Sequence, residues 1–415
     1  MKLVILQDDF PPHHEGGSAI IAAQLADRFA EQGHQVIIVT TVRNKRDAGE
    51  EYRGNIKIIK LSCDYDVRFR SYVSLYNPLV VSKVKRILKE TRPDIVHVHN
   101  VHHYLSYYSI VLAKRFSHRV FMTAHDSMTV YFGKPPFTTS RSTSVVENPN
   151  LFRESLWRQL RIHKLRYNPI RTSIARFVVN RFTDRVIAVS EALKNVLIAN
   201  GLIRVSVIHN GIDASVWNEP EGVRAFKRDK GIGDTAILFG GRLSEAKGAL
   251  KMLDALKHVQ ERIPGVQLLI IGKKEEARTR HILDRARSSH LEQSLVFTGW
   301  LDGDELRKAY YSTAIVAVPS LYLDPFPTIN LEACACGKPV VATCFGGSPE
   351  IIKDGFNGYV INPNDDTLFA ERILNLLNDV ELRRRYGEQG RECVLQEFSI
   401  DRQFQSYRAL FEDSL

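Results

Sequence analysis

The sequence predicts an α/β protein of two doubly wound domains, each a mostly parallel sheet covered by helices on both faces. Three observations carry that prediction. A chain of 415 residues exceeds one ordinary core and makes two domains the default. Short β-branched runs alternate with longer amphipathic stretches throughout. The alternation starts afresh after Gly211, across a join near 210–234 that carries Asn218, Glu219, Pro220 and Gly222. Strand–helix–strand spacing of this length gives parallel sheets buried on both sides.

In the first series, KLVILQ (2–7) reads as a strand, followed by a Gly-Gly loop and a helix over 18–33 with Ser18 as N-cap and Gly33 at its end. Strands follow at 36–41, 56–61, 94–99, 119–125, 185–190 and 205–211, with helical stretches such as 78–91 and 191–201 between them. In the second series, strands at 235–243, 266–272, 294–300, 314–320, 338–343 and 358–362 alternate with helices at 248–262, 276–290, 303–312, 328–336 and 365–377. Residues 381–412 read as closing helices. Ligands of open parallel sheets sit beyond the carboxyl ends of the strands, and two such domains can face each other and enclose a cleft.

Composition narrows the classes. Apolar residues make up 44% and charged residues 25%, an ordinary soluble balance. No apolar run approaches the roughly 18–20 residues that span a bilayer. MKLVILQDD reads as a buried strand, not a signal peptide. Five scattered cysteines fit reduced thiols and a cytoplasmic location; Cys334 and Cys336 read as small packing residues. The net charge of +10 is uneven: residues 1–200 hold 30 Lys/Arg against 17 Asp/Glu, and residues 201–415 hold 27 against 30. The densest patch, 152–185, has nine basic residues and two acids interleaved with Leu156, Trp157, Leu160, Leu165, Ile174, Phe177 and Val178. Such a segment either lies on an anionic membrane, making the protein peripheral at the inner face, or packs its apolar side on its own domain. No nucleic-acid-binding module accompanies the charge.

Candidate site residues lie after the strands. Gly16 and Gly17, ahead of the first helix, let a backbone approach a ligand or simply make a tight turn. Neither domain carries G-x-G-x-x-G, which disfavours a nicotinamide enzyme. His125 and Asp126 close a strand. His97, His99, His102 and His103 stand close together in HVHNVHH, where a metal site is conceivable but nearby acids are few. In GGRLSEAKG, Arg242 and Lys247 put two cations beside a helix N-terminus, suited to a diphosphate. In LDPFPTINLEACACGKPVVAT, Pro325 and Pro327 forbid helix before Thr328, which caps a helix ending at Gly337. Asp324 precedes that helix and Glu332 lies one turn inside it, both near the mouth after strand 314–320. Carboxylates so placed accept hydrogen bonds from vicinal hydroxyls of a sugar or ribose. Glu350 stands in a further Gly-rich loop.

With these motifs in order (the Gly-rich first loop, His125-Asp126, VSEALK, IHNGID, GRLSEAKG, the acid-x7-Glu element and SPEIIKDGFNG) the chain resembles a retaining GT-B glycosyltransferase of family 4 over nearly its whole length. The resemblance implies two Rossmann-like domains facing across a cleft: an acceptor-side domain at 1–212, a nucleotide-sugar domain at 213–395 and a closing helix at 396–415 packing back on the first. It implies transfer of a hexose-type sugar from a UDP- or GDP-linked donor, with retention, to a glycan or lipid-linked acceptor. Arg242 and Lys247 would bind the diphosphate, Glu332 the ribose and Asp324 the sugar hydroxyls. His125 would approach the sugar, and Gly16, Gly17, Asn210, Thr328 and Ile329 would complete the donor site. No cofactor and no metal are implied, because the cations take its place. The family pattern is Glu-x7-Glu, so Asp324 is one methylene short. Other classes compatible with the residues are a nucleotide-sugar epimerase or hydrolase, and a binding protein without catalysis.

Overall fold

A computed structural model of the chain describes residues 1–12, 16–133, 155–241, 243–272 and 276–415, without the side chains of 156, 165 and 276–278. Its strands are β1 (Lys2–Leu6), β2 (Gln35–Val42), β3 (Gly49–Arg53), β4 (Ile56–Ser62), β5 (Ile95–Val98), β6 (Arg119–Ala124), β7 (Arg185–Ala188), β8 (Val205–Val207), β9 (Ala236–Phe239), β10 (Gln267–Ile271), β11 (Leu295–Gly299), β12 (Ile315–Val318), β13 (Val340–Thr343) and β14 (Gly358–Ile361). They form two sheets in two compact units. Unit 1 contains Met1–Gly133, the described residues up to Asn210, and Ile400–Leu415; unit 2 contains Gly211–Ser399. The joins fall at 210/211 and 399/400, where the sequence expectation is 212/213 and 395/396.

The unit 1 sheet runs β3-β4-β2-β1-β5-β6-β7-β8. All its pairs are parallel except β3 with β4. Central strands such as KLVIL and IVHV are buried on both faces, as parallel sheets require. The sequence reading missed β3, GEEYR, because all five residues are exposed and show no apolar alternation. Its register is held from outside, by Lys57–Glu50 and Lys60–Glu51 ion pairs across the edge.

The unit 2 sheet is wholly parallel, in the order β11-β10-β9-β12-β13-β14. Its core gathers Phe239, Leu253, Leu256, Ile270, Ile315 and Phe369 from both strands and covering helices. Cys334, in the helix Thr328–Ala335, and Cys336, at its C-cap, are buried free thiols, and the helix packs on Val380–Glu397.

Two helix starts differ from expectation. The first helix is Gly17–Glu31 with Gly16, not Ser18, as N-cap, because Ser18 Oγ instead accepts a 2.9 Å bond from Asn100. The helix Thr328–Ala335 is capped by Pro327, so Thr328 is its first residue rather than its cap. The basic stretch is not one helix. Leu156–His163 and Arg171–Phe182 are separated by a turn containing Pro169, which cannot continue a helix.

The closing segment divides between the units. Val380–Glu397 belongs to unit 2, and Ile400–Glu412 packs on unit 1. There Phe411 is fully buried, stacked on Phe29 at 5.4 Å and tilted against Phe121 at 4.9 Å. Phe411→Ala is expected to cost about 3–5 kcal/mol of unfolding free energy. Urea unfolding measures it, and a loss below about 1 kcal/mol would show that the helix is not part of the unit 1 core.

Candidate functional site: a polar set at the switch point of each sheet

Each sheet reverses its strand order once, between β1 and β5 in unit 1 and between β9 and β12 in unit 2. Loops leaving the two strands at that point diverge to opposite faces and open a crevice where ligands of such sheets bind.

In unit 2 the loops after β9 and β12 flank the crevice. The first leads through Lys247 into the helix Ala249–Arg262, and the second carries Ser320, Tyr322 and Asp324. Lys247 Nζ lies 2.7 Å from Asp324 Oδ2, although 77 residues separate them, and Ser320 Oγ donates to the same oxygen at 3.1 Å. The ammonium also sits 5.2 Å from the centre of the Tyr322 ring. Burial alone would lower the Lys247 pKa; the Asp324 carboxylate and Tyr322 outweigh it and hold the amine above its usual range. Asp324 is only 6% exposed. Its carbonyl accepts from Gly347 N at 2.9 Å, and Gly346 passes so close that a Cβ would stand 2.2 Å from that carbonyl oxygen. On the other side, Gly248 has φ +78° and presses on the Pro319 carbonyl, where a Cβ would come within 1.9 Å. Two side-chain-free positions therefore bring the loops together.

Glu332 lies in the first turns of Thr328–Ala335. Tyr310 Oη donates to Glu332 Oε2 at 2.6 Å, and Trp217 packs edge-on against Tyr310 at 5.6 Å. Burial raises the Glu332 pKa, opposed by bonds from Tyr310 and Thr328. Thr328 thus serves Glu332. Ile329 lies against Gly240, where a Cβ would meet its Cδ1 at 1.7 Å. Arg242 lies outside the described residues. The structure brings Lys247 and Asp324 into contact, and gives Glu332 a separate partner. Ser320, Tyr322 and Tyr310 escaped the sequence reading because isolated hydroxyls carry no motif.

In unit 1 the loop after β1 carries Gln7 and Asp8. The buried Asp8 carboxylate accepts the backbone N–H groups of His103, Tyr104 and Leu105 at 2.6, 2.9 and 2.7 Å, which fixes the loop beyond β5. Burial pushes its pKa up to about 7 against those three bonds. Gly16 and Gly17 open the first helix nearby in sequence. His125 and Asp126 follow β6. His125 Nε2 stands 2.8 Å from His99 Nδ1, and His99 Nε2 stands 3.2 Å from His97 Nδ1. His97 Nε2 meets Thr123 Oγ1 at 2.7 Å. Both ring nitrogens of His97 and His99 are thus spent on each other and on neighbours. His97, His99 and His125 form a hydrogen-bonded stack; among the described residues no group of three or more His, Cys, Asp or Glu is placed to hold a metal ion. His102 faces Asp126 at 3.4 Å instead. Asn210 is buried at the end of unit 1, with Oδ1 3.4 Å from Gln403 Nε2.

Two doubly wound units, each with a polar set at its switch point, are the architecture of a GT-B glycosyltransferase. Residues 15–216 match the sequence profile of Glycosyltransferase Family 4, and residues 224–393 match that of Glycosyl transferases group 1. The chain belongs to glycosyltransferase family 4. It is 26% identical to an uncharacterized glycosyltransferase of Methanocaldococcus jannaschii, over 97% of this chain and 95% of that one. The sucrose-phosphate synthase of Thermosynechococcus elongatus shares the fold at a TM-score of 0.80, with 21% identity over 99% of both chains. Anabaena HepE, solved in complex with UDP-glucose, shares it at 0.73, with 19% identity over 100% of both chains.

The histidine set makes stability depend on pH. Burial lowers His97 to about 3 and His125 to about 4, and His99 and His102 well below their ordinary value of 6.5. Below about pH 6.5 the unfolded chain takes up protons that these folded rings refuse, so stability falls as pH drops and is fully present above that value. His97, held near 3 when folded, loses about 2 kcal/mol between pH 6.5 and 5, and His99 acts in the same direction. Asp8 acts oppositely, since its folded carboxyl is already protonated near neutrality, and offsets about one ring. The expected result is a lower urea midpoint at pH 5 than at pH 7. An equal or higher midpoint at pH 5 would mean that the rings accept protons in the folded state.

Proposed function

We propose that this glycosyltransferase moves a hexose-type sugar from a nucleoside-diphosphate sugar, UDP- or GDP-linked, to a glycan or lipid-linked acceptor, with retention at the anomeric carbon and without a metal. The product class is a cell-surface polysaccharide or glycoconjugate. The observation that carries this reading is the Lys247 ammonium, held by the buried Asp324 at the unit 2 switch point and beside a helix N-terminus. A fixed cation there meets a diphosphate. The UDP-glucose bound by HepE, whose fold is the same, supports that donor class. Glu332 accepts from the ribose hydroxyls. Asp324 orients Lys247 and accepts from sugar hydroxyls; Lys247 reaches it at 2.7 Å, so the shorter acid still completes the pair.

In the reaction the bond between the anomeric carbon and the diphosphate oxygen breaks, and its electron pair stays on the phosphate. Lys247, with Arg242, stabilises that charge as it develops. The acceptor hydroxyl bonds to the same face of the anomeric carbon and passes its proton to the departing phosphate oxygen. His125 is the unit 1 group that meets a ligand oxygen.

We also propose that unit 1 rests on an anionic membrane surface. No helix among the described residues is long and apolar enough to cross one. The helix Arg171–Phe182 buries Ala175, Val178 and Val179, yet Ile174 and Phe177 point to solvent from its other side, Phe177 at 63% exposure. Trp157 is 80% exposed. Of the basic residues in this stretch, Arg158, Arg161, Lys164, Arg166, Arg181 and Arg185 are exposed. Arg171 is not: it is fully buried, bonded to the Met128 carbonyl at 2.6 Å. Exposed aromatic and aliphatic groups among cations suit the boundary of an anionic bilayer.

Three experiments test these readings. A thermal-shift panel of UDP, GDP, ADP, CDP and NAD is expected to show stabilisation by one nucleoside diphosphate, about 2.7 kcal/mol at 100 times its Kd; stabilisation by NAD alone would overturn the donor assignment. Lys247→Gln, which can still hydrogen-bond to Asp324, is expected to lower kcat about 10²–10³-fold, and unchanged turnover would remove Lys247 from the reaction. For the membrane, co-sedimentation with phosphatidylserine-containing vesicles is expected to weaken with salt and with Phe177→Asp. Equal binding to neutral vesicles, or none at low salt, would refute it.

A further inference from the structure

The stack beneath His125 does not end with His97. Thr123 Oγ1, 2.7 Å from His97 Nε2, stands 2.8 Å from Tyr407 Oη on the C-terminal helix. Among the described residues neither hydroxyl has another hydrogen-bond partner, and both side chains are fully buried. The result is a single file: Tyr407, Thr123, His97, His99, His125.

A neutral imidazole has one donor nitrogen and one acceptor nitrogen, so such a file can point only one of two ways. If His125 Nε2 donates inward, His99 Nε2 donates to His97, His97 Nε2 donates to Thr123, and Thr123 donates to Tyr407. The Tyr407 proton is then left buried with no acceptor. If Tyr407 donates to Thr123, then Thr123 donates to His97 Nε2, His97 Nδ1 to His99, and His99 Nδ1 to His125 Nε2. Every buried proton is then used, and the one remaining N–H is Nδ1 of His125. An unmade buried hydrogen bond disfavours the first direction roughly tenfold or more.

We infer that the Thr123 hydroxyl, whose inner neighbour Tyr407 must itself donate, sets the tautomers of His97, His99 and His125, so that His125 offers its ligand a protonated Nδ1. Thr123, His97 and His99 are positioning residues, acting through His125. Burial keeps His125 neutral, with its pKa lowered to about 4, so it presents a hydrogen-bond donor without a charge. A group set this way donates to a hydroxyl or phosphate oxygen and does not take a proton as a base. The role in transfer rests on the reading above that His125 meets the ligand; the tautomer itself does not.

The test is long-range proton–nitrogen NMR on the full chain with ¹⁵N-labelled histidine at neutral pH, with His125 assigned from the signals lost in His125→Gln. The expected spectrum shows His125 protonated at Nδ1 and bare at Nε2; the reverse overturns the inference. Thr123→Val leaves His97 Nε2 without a partner in either direction, an unmet N–H inward or an unmet bare nitrogen outward, so the aim is lost and His125 is expected to shift towards the Nε2–H form that a free histidine prefers. Tyr407→Phe disturbs packing at least as much but leaves Thr123 needing an acceptor, so the Nδ1–H form is expected to persist. An unchanged tautomer in Thr123→Val, or a shift in Tyr407→Phe alone, would overturn it. Transfer by Thr123→Val is expected to fall about tenfold in kcat/KM. Normal transfer beside a shifted tautomer leaves the relay standing and removes His125 from ligand contact.

Discussion

A parallel sheet whose order reverses must leave a crevice at the reversal, because the connections on either side go to opposite faces. Both candidate sites follow from that constraint. In unit 2 the paired strands β9 and β12 release their loops side by side, and Lys247 meets a carboxylate 77 residues away. In unit 1, β1 and β5 do the same, and Asp8 gathers three backbone N–H groups from the loop around residue 104. The helices and outer strands are needed to hold these edges in place, and chemistry concentrates where the covering is necessarily incomplete.

The two crevices use opposite electrostatic means. Unit 2 keeps a charge. Taking an ammonium out of water costs several kcal/mol unless a partner compensates, and Asp324 with the Tyr322 ring supplies that compensation. The pair cannot relax away, since backbone crowding at Gly346 and Gly248 fixes both loops. A cation partly withdrawn from water and fixed by its partner needs little reorganisation when negative charge develops beside it. Unit 1 instead removes charge. Its histidines are neutral through burial and answer to one another rather than to water. One unit thus holds a paired cation at its switch point and the other a file of neutral rings.

Much of this was legible from residue order alone. The strand–helix alternation located every strand but β3, and β3 was invisible because its residues are all exposed and polar or aromatic without alternation. Lys247, Asp324 and Glu332 were legible because charged residues in an otherwise small and apolar segment require partners. Their partners were not. A sequence gives the spacing of two acids along the chain but not that Asp324 turns to Lys247 while Glu332 turns to Tyr310. Ser18 and Thr328 were misread as caps because capping preference is local, and the competing bonds, to Asn100 and Glu332, are made by tertiary structure or by the next helical turn. The histidine run is ambiguous in sequence for a related reason. Density of ligand-type residues says nothing about whether their nitrogens are already spent.

The last helix shows how far one segment can reach. Ile400–Glu412 lies nearly 300 residues beyond β6, yet Phe404, Tyr407 and Phe411 are built into the core of unit 1 beside Phe29 and Phe121. Apolar burial is non-directional and would accept any side chain of suitable volume there. A tyrosine at 407 places one hydroxyl in that core, and a buried hydroxyl must be satisfied. Thr123 is its partner, so the demand passes to His97 and along the rings to His125. Packing at the end of the chain and proton placement at the candidate site meet at Thr123: the helix that completes the core brings up a phenol that must itself donate, which leaves the Thr123 proton for His97.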